Sequence, residues 1–281
     1  MIKNYKNIVK QMQKRPFICT SITADNKRSF ISTAKKAVKG GADFAELRID
    51  FLKDPSPNNI KEIILESPLP LIVTNRNKEN RGTFKGSESL RISLLHSAID
   101  AKPAFVDIEL HTEEKSRNEI IEYAHDQHVG VICSYHDFKE SPTAEKMVEN
   151  YKEICETDAD LAKMVYTPHT EQDLIEILKA TQTLRNEKTP YALFGMGEMG
   201  QITRLLCHVI GSCLTYCAVK PDPNNGLFQI SLKATKSLFD TVSATKGWTS
   251  IRKEHKDLMA LAIWELTSKE SYPFIGKKIE H

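Results

Sequence analysis

Short apolar runs rich in β-branched and aromatic residues recur along the chain, and each is followed by a longer stretch with the apolar spacing of an amphipathic helix. FICTSI (17–22) precedes a helical pattern over 27–39, DFAELRID (43–50) one over 58–66, LPLIVTNR (69–76) one over 88–101, and AFVDIEL (104–110) one over 113–127. VGVICSY (129–135) then leads into 143–156, LAKMVYT (161–167) into 171–186, YALFGM (191–196) into 200–211, and LTYCAVK (214–220) into a helix from about 231. Eight such units predict an α/β fold, a (β/α)8 barrel of TIM type, because parallel strands covered on both sides read as continuous apolar runs. An open doubly wound sheet alternates similarly but carries a glycine-rich phosphate turn early in the chain, and GxGxxG is absent there. The nearest match, GMGEMG (195–200), follows the seventh run and reads at least as well as a plain turn into a helix. The barrel is expected over 1–243, with a C-terminal helical extension or linker over 244–281.

Composition narrows the class. The chain has 281 residues, 40% hydrophobic and 27% charged, as in a soluble globular protein with a substantial core. Its 39 basic and 37 acidic residues nearly cancel, and no Lys/Arg-rich run is interleaved with aromatics. That balance argues against nucleic acid as a partner and leaves room for a small, partly anionic one. No apolar run approaches the roughly 18 residues of a membrane helix, and MIKNYKNIVKQMQKR lacks the apolar centre of a signal peptide. A cytoplasmic protein that does not engage a membrane is expected. The six cysteines (Cys19, Cys133, Cys155, Cys207, Cys213 and Cys217) form no CxxC and no disulfide framework, and read as reduced core residues.

The chemistry-bearing residues gather near the C-terminal ends of the predicted strands. In AELRID, Glu46, Arg48 and Asp50 share one face and Ala45, Leu47 and Ile49 the other. A solvated strand face accounts for such a pattern in isolation, but inside a parallel barrel that face meets solvent only at the mouth. Lys163 is the one lysine in an otherwise apolar strand; it is either a strand-end residue reaching water or a functional amine. His136 closes the fifth run and, taken alone, reads as a hydrogen-bonded structural histidine. Cys133 and His136 point to opposite strand faces and no second ligand pair has zinc spacing, so no metal site is expected. What raises His136 is convergence: strands two, three, five and six end in Glu46/Arg48, Arg76, His136 and Lys163, the arrangement of a barrel active site.

At these residues the chain resembles the type I 3-dehydroquinate dehydratases of the shikimate pathway. The resemblance runs from about 16 to 240 through AELRID, TNR, SYHDF, ADLAKM, GQITRLLCHVIGS and Gln229. It implies a barrel enzyme, a homodimer, that uses no metal or nucleotide cofactor and acts on 3-dehydroquinate. It implies further that His136 is the general acid/base, that Lys163 forms a Schiff base, and that Ser21, Glu46, Arg48, Arg76, Arg204 and Gln229 bind substrate. A lysine beside arginines in an apolar strand would be favoured as a neutral nucleophile. Arg204, early in a helix, would grip the carboxylate, and Glu46 and Arg76 would orient ring hydroxyls.

The chain also departs from the family. A glutamate four residues after the strand-three arginine, in an EGG-like turn, is replaced in RNKENRG by Asn80, with Glu79 one position earlier. The late lid reads PDPNNGLFQ, so of its residues only Gln229 carries over. Asn80 is expected at the family position, since Gly82 and Phe84 keep their spacing. The tail SYPFIGKKIEH (271–281) weakly resembles the start of a shikimate dehydrogenase; a helix over 250–268 with Trp264, packed under the barrel or on a partner subunit, is the preferred reading. Two other functions stay open: another Schiff-base barrel of aldolase type, with Lys220 as rival nucleophile, and a barrel that binds a ligand without turning it over.

Overall fold

The computed structural model describes residues 4–221 and 229–245. Its eight strands are β1 (Phe17–Ile22), β2 (Phe44–Arg48), β3 (Leu71–Thr74), β4 (Phe105–Glu109), β5 (Gly130–His136), β6 (Leu161–Tyr166), β7 (Tyr191–Gly195) and β8 (Leu214–Cys217). All pair in parallel in the order β7-β6-β5-β4-β3-β2-β1-β8, so β1 lies between β2 and β8 and the sheet curls round on itself. The β7–β8 seam is joined sparsely. Cys213 N donates to Tyr191 O at 2.7 Å, and the Ser212 hydroxyl bridges the Leu193 amide (3.0 Å) and carbonyl (2.8 Å). This near-closed ring settles the choice between barrel and open sheet in favour of the (β/α)8 barrel.

The helices surround it: α1 (Tyr5–Met12), α2 (Lys27–Lys39), α3 (Pro57–Glu66), α4 (Glu88–Asp100), α5 (Glu114–Asp126), α6 (Ala144–Cys155), α7 (Glu171–Leu184), α8 (Gly197–Leu205), α9 (Cys207–Ile210) and α10 (Leu232–Thr245). Local chemistry sets several starts. Asn26, Ser56, Ser87 and Thr143 accept a backbone N–H into α2, α3, α4 and α6, and Thr170 with Asp173 closes a reciprocal capping box on α7. The outward strand residues pack on these helices; Val106, Ile108, Val131, Cys133, Ala162 and Met164 belong to one such cluster with Leu95, Ile120, Met147 and Ile177.

Two expectations are corrected. The helix over 200–211 instead begins at Gly197 and breaks at Leu206, because Gly200 sits directly on the end of β7: a Cβ there would meet Gly195 backbone at 2.3 Å. Gly195 and Gly200 of GMGEMG thus serve this close helix–strand approach, while Gly197 takes the positive φ of 74° at the start of α8. The N-terminal segment, read only for targeting signals, forms α1, whose Tyr5, Ile8 and Met12 join Phe17, Phe44, Phe105 and Leu214 in a buried cluster. All six cysteines are free thiols, and every one but the half-buried Cys155 is buried. The predicted extension from residue 246 onward, with its helix over 250–268 and the tail, lies outside the described residues.

Candidate active site

The period-two alternation that sends Ala45 and Leu47 outward sends Glu46 and Arg48 inward, and the same rule on every strand fills the C-terminal mouth with polar groups. Ser21, Glu46, Arg48, Arg76, His136, Lys163, Arg204 and Gln229, the residues singled out from the sequence, all line one cleft there. Glu46 accepts from the Ser21 hydroxyl and, at 2.9 Å, from Thr74. Arg48 is occupied by Asp50, through Nε at 2.8 Å and Nη2 at 2.7 Å. Asp50 also accepts from Thr83 N (3.1 Å), tying the loop after β3 to the end of β2. Burial opposes ionisation of Asp50, yet the Arg48 contacts hold its pKa below the ordinary carboxylate value.

The centre of the cleft is organised by an acid that the sequence reading overlooked. Asp107, inward on β4 and 1% exposed, accepts from Arg76 Nη2 at 2.9 Å, Ser134 Oγ at 2.7 Å and Lys163 Nζ at 2.9 Å. Burial pushes its pKa up, but the Arg76 and Lys163 charges outweigh burial and hold it well below the carboxylate range. Glu109, two residues on, pairs with Arg76 (3.2 Å) and with the fully buried Arg91 (2.7 Å). Lys163 therefore does not sit among cations alone, as its surroundings in the sequence suggested. Besides Asp107 it has Glu46 at 3.9 Å, and the Tyr216 ring centre lies 4.4 Å from its nitrogen. The signal was present: AFVDIEL alternates acid and apolar residues just as AELRID does.

His136 is half-buried, and its Nδ1 is enclosed without a hydrogen-bond partner. Its ring lies parallel to that of Phe138, with centroids 5.6 Å apart and an interplanar angle of 8°. Burial, reinforced by Arg76 and Lys163, lowers its pKa well below the usual imidazole value, so the ring is neutral at neutral pH. Arg204, 6% exposed, stands in the last turn of α8 rather than early in a helix as the sequence suggested, and has no ion-pair partner among the described residues; its Nε makes no hydrogen bond and its guanidinium lies 4.4 Å from the Phe194 ring centre. Burial pushes its pKa down to about 10. A buried cation without an ion pair among the described residues is electrostatically suited to meet an anion.

The loop after β3 places Asn80 in the cleft and leaves Glu79 outside it, exposed in a neighbouring groove. The Asn80 amide donates to Asn77 Oδ1 at 2.9 Å. Gly82 is required where the loop turns back, since a Cβ would fall 1.9 Å from the Arg76 carbonyl oxygen. Lys220 is exposed and does not line the cleft. Among the described residues no group of three or more His, Cys, Asp or Glu is placed to hold a metal, and no helix is long and apolar enough to cross a membrane.

A parallel barrel with charged side chains converging at the C-terminal ends of its strands defines a (β/α)8-barrel enzyme. The family model for type I 3-dehydroquinase matches residues 18–245. The chain is 32% identical to 3-dehydroquinate dehydratase of Methanosarcina acetivorans over 75% of its length and 89% of that protein. It is 35% identical to the Methanothermobacter thermautotrophicus enzyme of the same name, over 72% and 87%. The crystal structure of type I 3-dehydroquinate dehydratase from Clostridium difficile, solved with covalently modified comenic acid, superposes with a TM-score of 0.77 at 29% identity, covering 83% of this chain and 94% of that one. The chain belongs to the type I 3-dehydroquinate dehydratase family and is an enzyme of the hydro-lyase class.

Proposed function

We propose that this enzyme dehydrates 3-dehydroquinate to 3-dehydroshikimate through a Schiff base on Lys163, with His136 as general acid/base. The observation that carries the reading is one cleft holding a buried lysine, a neutral imidazole and an unpaired buried guanidinium. Arg204 offers a planar fork to the substrate carboxylate. Glu46, kept in place by Ser21 and Thr74, together with Arg48, Arg76 and Gln229, faces the ring hydroxyls. The Lys163 amine, its proton lent to a neighbouring group, adds to the ketone, and return of that proton to the carbinolamine hydroxyl lets water leave and an iminium form. His136 takes the α-proton, the electrons move into an enamine, and these then expel the β-hydroxyl, which leaves as water with the proton that imidazolium returns. Hydrolysis of the product iminium frees 3-dehydroshikimate and the lysine. Each step is served by side chains, without a metal or nucleotide. Asp107 holds the Lys163 amine in place, and the lowered pKa of His136 leaves its ring unprotonated and free to accept a proton at neutral pH. The family resemblance extends this reading to a cytoplasmic homodimer.

Borohydride added with 3-dehydroquinate tests the reading, because it reduces only an imine to a stable secondary amine. Peptide mapping should locate the adduct on Lys163, with turnover followed by the ultraviolet absorbance of the conjugated product. Lys163→Ala should lose adduct and turnover together, and His136→Ala should form the adduct but stall. An adduct on Lys220, or full turnover in His136→Ala, would overturn the assignment.

A further inference from the structure

His136 is oriented without a carboxylate. Its Nδ1 has no partner, the Asn80 amide is engaged with Asn77, and Glu79 faces another groove. Asp137 is turned to its own loop, accepting from Lys139 N at 2.9 Å and Glu140 N at 3.0 Å. What does hold the imidazole is the parallel ring of Phe138, and Phe138 is in turn held by Arg81. The Arg81 guanidinium lies 4.6 Å from the Phe138 ring centre, and its Nη2 donates to the Phe138 carbonyl at 3.2 Å. Arg81 lines the same cleft. Its backbone has φ 56°, in the left-handed region that favours glycine, although glycine occupies the very next position. From that turn the Arg81 side chain reaches across to the β5–α6 loop, and it is this contact with Phe138 that sets it apart.

We propose that Arg81 is a positioning residue: acting through Phe138, it fixes the plane of His136, in a loop that supplies no carboxylate to do so. The inference rests on the reading of His136 as the base. The charged groups facing His136 are Arg48 from β2, Arg76 beyond β3, Asp107 from β4 and Lys163 from β6. Arg81 is exposed and stands against the Phe138 ring, so it acts on His136 through that ring rather than by its charge. The charges that set the His136 pKa stay in place when Arg81 is replaced, so the acidic limb of the kcat/KM profile holds while kcat falls.

The test compares Arg81→Gly, Arg81→Lys, Phe138→Leu and the Arg81→Gly/Phe138→Leu double variant with wild type on 3-dehydroquinate. Arg81→Gly should lower kcat about tenfold, a fraction of what a well-placed general base contributes, while leaving KM and the acidic limb unchanged. Its Tm should not fall, because glycine suits φ 56°, so a folding defect cannot account for the loss. Arg81→Lys should recover part of kcat. Phe138→Leu should match the Arg81→Gly loss, and the double variant should be little worse than either, since one route is being cut twice. Unchanged kcat in Arg81→Gly, a shifted acidic limb, or a rise in KM alone overturns the proposal; the last would make Arg81 a substrate contact. Full activity in His136→Ala would instead remove the reading beneath it, so the two failures are distinguishable.

Discussion

Replacing Asp107 by asparagine removes one negative charge at nearly constant shape, and the surroundings set what that costs. In the wild type one carboxylate oxygen takes Arg76 at 2.9 Å and the other takes Lys163 at 2.9 Å, in a site where Asp107 is 1% exposed. Breaking a buried pair from one side costs about 3–5 kcal/mol, because the remaining charge loses its compensation. Arg76 retains Glu109 at 3.2 Å and Lys163 retains Glu46 at 3.9 Å, and asparagine can still bond Ser134, which points to the lower end, about 3 kcal/mol. For a domain of this size that is a Tm drop of roughly 6–12 °C. The pH dependence follows from the sign of the shift. The folded-state pKa of Asp107 lies below its unfolded value, so its contribution is complete above about pH 4 and is lost as pH falls further toward the folded value. Denaturant unfolding at a series of pH values should find a constant gap between Asp107→Asn and wild type from about pH 5 to 8. Below about pH 4 the gap should narrow by about 1.4 kcal/mol per pH unit. A loss under about 1 kcal/mol, typical of an exposed pair, or a gap that persists unchanged in acid, would refute the view that this carboxylate holds the cations.

Arg204→Lys keeps the charge but not the fork, so loss of one charge-assisted hydrogen bond should raise KM roughly tenfold with kcat little changed. Steady-state kinetics decides this, and a fall in kcat at constant KM would place the carboxylate elsewhere. Met12→Ala empties a fully buried position beneath the barrel and should cost about 2–4 kcal/mol in denaturant unfolding while leaving kcat intact.

The strand–helix alternation carried the architecture because parallel strands in a barrel are apolar on both counts, packed outward on helices and inward on each other. Helix α2 matches its predicted bounds of 27–39 for the same local reasons that make it a helix: an asparagine cap, an apolar stripe and glycines at its end. What escaped was non-local. Asp107 is an unremarked polar residue in an apolar run until β3 and β6 bring Arg76 and Lys163 to either side of it. The stripe of Tyr5, Ile8 and Met12 was present in MIKNYKNIVKQMQKR, but diluted by lysine, asparagine and glutamine it stands out only once an open barrel end needs covering. At RNKENRG the spacing correctly placed Asn80 in the cleft, whereas the turn of its amide toward Asn77 depends on a loop conformation that spacing does not encode.

Nearly every charge at the mouth is already spoken for: Arg48 by Asp50, Arg76 by Asp107 and Glu109, and Lys163 by Asp107. The chain as a whole carries a formal net charge of only +2. Such a molecule projects little field beyond a Debye length of about 8 Å, so it does not draw an anion in from a distance. Substrate arrives by ordinary diffusion, encounter rates respond weakly to ionic strength, and discrimination begins only in the last few ångströms, where Arg204 is the buried cation with no ion pair among the described residues.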